Sequence, residues 1–165
     1  MMIPYPVLHK SPRPSLTPPR LIVVHYTMSD TAQSCLDWFR HPDSKVSAHV
    51  VIDTDGTTYR CVPDHEKAWH AGESEFWGVS DVNRFSLGLE LAGHGTTPPP
   101  PAQYDAAVRV VTDWAMAYKI PLHAIVGHQH VSPGRKADPG PKFPWWTFLI
   151  DIGQAVRFQE RGFDA

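Results

Sequence analysis

The sequence predicts an α/β (α+β mixed) fold, a central mixed β-sheet flanked by helices. Three features of the 165-residue chain point to it: short β-branched runs that suit buried strands, segments of helical apolar period set between them, and connections long enough to allow parallel strand pairs. The length fits one compact domain, which should bury roughly 70% of the surface that its unfolded chain exposes. A proline-rich arm, residues 1–20, precedes a single domain, residues 21–165. The seventeen prolines gather in that arm, at 98–101 and in the 133–144 loop, so they mark connections rather than disorder.

Leu21-Ile22-Val23-Val24-His25-Tyr26 is a short apolar run bounded by Pro19 and by Ser29-Asp30, which suits a buried strand with His25 near its end. Residues 31–40 suit a helix capped by Asp30 and stopped before Pro42. Residues 46–53 and 58–62 predict two strands joined through Asp55-Gly56, a strong hairpin signal. Residues 63–84 hold Trp69, Phe76 and Trp77 without a clear period, which predicts a long ordered loop over the sheet.

Ser86-Leu87-Gly88-Leu89-Glu90-Leu91 alternates, with the leucines on one face and Ser86, Gly88 and Glu90 on the other. Glu90 is therefore aimed where its small neighbours leave room. Residues 102–118 carry the spacing of an amphipathic helix, and Ala124-Ile125-Val126-Gly127-His128 forms a short strand with His128 at its end. A last helix is predicted over about 144–158, with Trp145, Leu149, Ile152 and Val156 along one stripe.

Composition narrows the function classes. Hydrophobic content of 42% with six Trp, seven Phe and five Tyr is globular, and a formal net charge of -2 gives no electrostatic reason to expect nucleic acid. The start lacks a charged head followed by an apolar run, and no stretch approaches the ~18 apolar residues of a membrane span. The expectation is a chain that is cytoplasmic as synthesised. Cys35 and Cys61, the only cysteines, have neither disulfide-framework nor zinc-knuckle spacing and read as half-buried thiols.

Chemistry concentrates in two places. His25 and His128 each close a β-rich run, and Asp138 follows on a loop where Pro139 disfavours helix. Two imidazoles and one carboxylate form a normal catalytic zinc set, leaving a fourth position for water. Arg135 and Lys136 lie close enough in sequence to hold Asp138 ionised and to face developing negative charge. A surface turn with an ordinary salt bridge accounts for the same segment, and any one of the ten histidines taken alone is more often structural. His128 with His130 is a rival pair, since residues two apart on a strand face the same way.

The segments Ile22-Val23-Val24-His25-Tyr26-Thr27, Val46-Ser47-Ala48-His49 and Ala68-Trp69-His70-Ala71-Gly72, Asn83 with Ser86 through Leu91, and Gly127-His128 through Asp138-Pro139-Gly140 resemble the type 2 (AmpD-like) N-acetylmuramoyl-L-alanine amidases. These are relatives of peptidoglycan recognition proteins and phage endolysins. The likeness runs in family order over about residues 20–148. It implies a zinc hydrolase that cuts the amide between N-acetylmuramic acid and the L-alanine of the stem peptide, with peptidoglycan or a muropeptide as its partner and a monomeric state.

The resemblance further implies that His25, His128 and Asp138 bind Zn2+, that Glu90 is the acid/base and that Lys136 stabilises the oxyanion. It removes His130 from the ligand set. Trp69, His70 and His49 are expected to line the sugar and peptide groove, and Arg135 to meet a stem-peptide carboxylate. Members resembling phage T7 lysozyme carry a tyrosine near Ala48 and a cysteine at the Asp138 position, so this chain follows the other branch. That branch's intracellular recycling enzymes have an Asn after the first histidine and a longer insertion. Tyr26 and the short connection to Ser47 therefore keep an endolysin or general wall amidase in view, and a peptidoglycan-binding module without catalysis is the remaining alternative.

Overall fold

The computed structural model describes residues 1–14 and 18–161. In chain order the elements are β1 (Ile3–Pro4), β2 (Lys10–Pro12), β3 (Leu21–Tyr26), α1 (Ala32–Arg40), β4 (Val50–Ile52), β5 (Thr58–Arg60), β6 (Glu66–Ala68), β7 (Glu75–Phe76) and β8 (Val79–Ser80). After a 3₁₀ turn at Val82–Arg84 come β9 (Ser86–Leu91), α2 (Pro101–Tyr118), β10 (Ile125–Gly127), a single helical turn α3 (His128–Val131) and α4 (Trp145–Arg161).

The main sheet has the order β1-β5-β4-β9-β3-β10, and its β4–β5 hairpin is antiparallel while the other pairs run parallel. This is the mixed sheet expected from the sequence. The hairpin turns through Asp53-Thr54-Asp55-Gly56-Thr57, where the Asp53 N–H donates to the Thr57 carbonyl at 2.9 Å and Gly56 adopts φ +87°, a conformation that favours glycine. Its first strand is shorter than predicted: residues 46–49 run beside the sheet, with the His49 N–H on the Gly88 carbonyl at 3.0 Å.

The β9 leucines 87, 89 and 91 pack into one core with Val110, Val111 and Trp114 of α2 and Phe148 and Ile152 of α4. Across the sheet, α1 buries Ala32, Cys35, Leu36 and Phe39, spaced as one helical face, against Val51 and Val62. Its N-cap is Thr31 rather than Asp30, which instead meets His94 at 3.0 Å. Cys35 and Cys61 are free and more deeply buried than expected, and burial pushes the Cys61 thiol up to about 12. Gln103, a polar residue inside α2, is buried and ties the sheet to the helix by donating to the Ile52 and Ala92 carbonyls at 3.0 and 2.9 Å.

The described residues of the proline-rich arm pack on the rest of the chain. β1 extends the main sheet beside β5, and β2 pairs with β6 in a two-stranded ribbon; β7 and β8 form another inside the long 63–84 connection. Arg13, just after β2, donates to the carbonyls of Arg84, Glu66 and Ser86 at 2.9, 2.9 and 3.0 Å. A half-buried guanidinium bridging three segments should contribute several charge-assisted bonds. Arg13→Met is expected to lower the unfolding free energy by about 3 kcal/mol in urea titration. A loss below about 0.5 kcal/mol would mean that water replaces these contacts.

Candidate active site

Three adjacent parallel strands carry the site at their carboxyl ends, where α/β sheets commonly bind ligands. His25 of β3 lies in register with Glu90 of β9, and Gly127 of β10 lies in register with Val24, so that His128 emerges beside His25. Asp138 arrives from the loop after α3. The resulting donor atoms form a tight triangle: His25 Nδ1 to His128 Nδ1 is 2.9 Å, His25 Nδ1 to Asp138 Oδ2 is 2.9 Å and His128 Nδ1 to Asp138 Oδ2 is 3.0 Å. All three residues are buried.

Partners on the far side of each ring decide what this triangle can hold. His128 Nε2 lies 2.9 Å from the Ala71 carbonyl, which only accepts, so the proton sits there and Nδ1 turns a lone pair inward. His25 Nε2 meets His70 Nδ1 at 3.0 Å. Two imidazole nitrogens and a carboxylate oxygen converging this closely fit a transition-metal ion that binds each at about 2 Å. The outer hydrogen bonds are of the kind that orient metal-binding histidines.

Burial pushes His25 down to about 4 against the pull of Asp138, so the ring is neutral at pH 7. The Asp138 carboxylate faces the His25 and His128 rings at 2.9 and 3.0 Å, and neither Arg135 nor Lys136 pairs with it among the described residues, unlike the ion pairing that their place in the sequence suggested.

Glu90 is half-buried, and its Oε2 has no hydrogen-bond partner among the described residues. Desolvation first, then the charge of Asp138, raises it well above the usual carboxylate range, while Lys136 opposes the shift. A carboxyl shifted in that direction by its surroundings is a candidate for proton transfer. Lys136 is exposed and makes no ion pair among the described residues. It lines the same groove as Glu90 and the triangle, a groove of about 510 Å³ walled by Trp69, Val46, Met28 and Trp38.

The remaining expected residues divide. Trp69 lines the groove, half-buried, with its indole N–H on Ser11 Oγ at 3.1 Å. His49, expected in the groove, is instead completely buried: the Gly88 N–H donates to its Nδ1 at 2.9 Å, and its Nε2 faces the Glu66 carbonyl at 3.2 Å. Burial and the Arg13 charge push it down to about 3. Arg135 borders the groove, and its Nη2 is held by the Ala71 and Glu73 carbonyls at 2.6 and 2.7 Å, so it braces the 71–73 backbone, while its Nε and Nη1 make no hydrogen bond among the described residues.

His70 is buried against His25, and burial pushes it well below the usual imidazole range. His130 stays off the triangle. The chain enters a helical turn at His128, where residues two apart point about 200° away from each other, and His130 Nδ1 accepts the Gly127 N–H at 2.9 Å.

Three structural roles lay outside the sequence reading. Asn83 Oδ1 accepts the N–H groups of His70 and Ala71 at 3.1 and 2.8 Å, fixing the loop that supports both metal-side histidines. Gly88 gives His70 its space, since a Cβ there would lie 2.5 Å from the His70 ring. Trp38, half-exposed, forms the outer groove wall. The alternation Ser86-Gly88-Glu90 was the available signal: two small residues on the site face leave a space that another side chain must fill.

A buried donor triangle, an unpartnered carboxyl and a cation along one groove define a hydrolytic centre of the amidase type. The family model of N-acetylmuramoyl-L-alanine amidase matches residues 15–141. The 1,6-anhydro-N-acetylmuramyl-L-alanine amidase AmpD of Enterobacter cloacae is 34% identical over 160 residues, covering 87% of this chain and 86% of its own. A crystal structure of a selenomethionine derivative of AmpD superposes with a TM-score of 0.77 at 30% identity, covering 92% of this chain and 93% of that one. Escherichia coli AmiD, in complex with anhydro-N-acetylmuramic acid-L-Ala-D-γ-Glu-L-Lys, superposes with a TM-score of 0.74 at 32% identity, covering 84% and 60% of the two chains. The chain belongs to the N-acetylmuramoyl-L-alanine amidase family and is an enzyme of that class.

Proposed function

We propose that this chain is a zinc-dependent amidase that hydrolyses the bond between the lactyl group of N-acetylmuramic acid and the L-alanine of the stem peptide. The converging donor triangle beside Glu90 is the observation that carries this reading. A bound zinc ion would supply water acidified from about 15.7 to about 7 and polarise the scissile carbonyl. Glu90 takes the proton of the attacking water and returns it to the departing L-alanine nitrogen. Lys136 stands on the groove where the carbonyl oxygen gains negative charge. Lys136→Ala is expected to lower kcat roughly 10²- to 10³-fold with KM little changed. An unchanged kcat would assign the cation to substrate binding or to solubility.

Muropeptides are the substrate class, which the AmiD complex with an anhydro-muramyl peptide supports by analogy. Trp69 and Trp38 give the groove aromatic walls against which a pyranose ring can stack. All the proposed ligands, the acid/base and the cation come from one chain, so a monomer suffices. No helix among the described residues is long and apolar enough to cross a membrane. With Glu90 and all three donors in place, a recognition module without catalysis has no support.

Purified protein should release stem peptides with a free L-alanine amino terminus from soluble anhydro-muropeptides, detected by mass spectrometry. Muropeptides left intact in the presence of zinc would refute the activity. The same assay on intact sacculi separates the two roles: faster release from sacculi than from soluble fragments would favour an endolysin over a recycling or remodelling enzyme.

A further inference from the structure

We propose that Ser86 and His70 form a proton-ordered relay that sets the tautomer of His25, making both of them positioning residues for the metal. The inference rests on the metal reading above. The Val82 carbonyl can only accept, so the Ser86 O–H, 2.7 Å away, is directed to it. Ser86 Oγ then turns a lone pair toward His70 Nε2 at 3.0 Å, and that nitrogen donates. A neutral imidazole has one N–H, so His70 Nδ1 is left to accept from His25 Nε2 at 3.0 Å. His25 Nδ1 therefore carries no proton where it faces His128 and Asp138.

Reversing the relay is unfavourable at its Ser86 end, where it would set the Ser86 and Val82 oxygens lone pair to lone pair at 2.7 Å. At the other end it would put a proton on His25 Nδ1, 2.9 Å from Asp138 Oδ2, and that proton would have to leave before an ion could bind. Neighbouring groups hold the geometry. Ser86, His70 and His25 are all buried, so bulk water does not compete for these bonds. The His70 backbone hangs from Asn83, and its ring lies so close over Gly88 that any side chain there would displace it. A hydroxyl two residues beyond hydrogen-bond reach of the metal thus decides whether a ligand is ready before the ion arrives.

The test combines chelator-competition titration of zinc with nitrogen-15 NMR of the histidine tautomers in the metal-free protein. In the wild type, His25 and His70 should both appear as Nε2–H tautomers without metal. Ser86→Ala removes the group that orients His70 and should weaken zinc binding roughly 10- to 100-fold, the usual cost of losing such outer support. His70→Leu should do the same, whereas His70→Gln, whose amide can accept from His25 and donate to Ser86, should stay within a few-fold of wild type. Wild-type zinc affinity in both Ser86→Ala and His70→Leu, or an Nδ1–H tautomer of His25 in the metal-free wild type, would overturn the relay. If His70→Leu fails to fold, Ser86→Ala and the tautomer spectra decide. Should the wild type bind no zinc, the metal reading fails, while the His25 tautomer still judges the relay.

Discussion

Glu90→Gln is expected to lower turnover of a muramyl–L-alanine amide by roughly 10²- to 10⁴-fold, the range that a positioned acid/base contributes. Glutamine keeps the size of the side chain but can neither take a proton from water nor return it to the leaving nitrogen. The Glu90 carboxyl makes no hydrogen bond at Oε2 among the described residues, so the substitution removes little that holds the fold. Desolvation and the neighbouring Asp138 also penalise its charge, so losing that charge should leave stability unchanged or slightly higher. Zinc content and urea midpoint should therefore match the wild type while kcat collapses. Near-normal kcat would assign the proton transfer to another group.

His128→Ala is expected to abolish both zinc retention and turnover, a larger loss than that at Glu90. It removes one of three donors from a triangle with sides of 2.9 to 3.0 Å. The two remaining donors fall short of the three protein ligands usual in catalytic zinc sites. The Ala71 carbonyl also loses the His128 N–H but retains Arg135 at 2.6 Å, so the loop should hold. Metal analysis after dialysis, with circular dichroism as the control for folding, separates this loss from that of Glu90→Gln. Stoichiometric zinc at normal affinity in His128→Ala would reassign the ligand set.

Much of this molecule was legible along the chain. Alternation in residues 86–91 placed Glu90 opposite the buried leucines, Asp55-Gly56 located the hairpin, and the family-like blocks pointed to His25, His128 and Asp138. These readings depend on local period, turn chemistry or an order of residue types that resembles a family's, all of which survive in one dimension. Other assignments could not be reached that way. His49 has the side chain of a substrate contact, yet its ring nitrogens are taken by Gly88 and Glu66, and Arg135 gives its Nη2 to Ala71 and Glu73, groups brought to them only by folding.

The sequence by itself determined the strand and helix periods, the residue types available for an amide-hydrolysing centre and their order along the chain. Tertiary structure decided which of them meet. Parallel pairing of β3 with β9 sets His25 beside Glu90 across 65 positions of sequence, β10 brings His128 to the same strand ends, and the arm reaches the underside of the site through Arg13. The physical reason is that a polar side chain's role is fixed by whichever groups satisfy its donors and acceptors once water is excluded. For His70 those groups are Ser86 and His25, so an imidazole expected in the substrate groove stands behind one corner of the donor triangle.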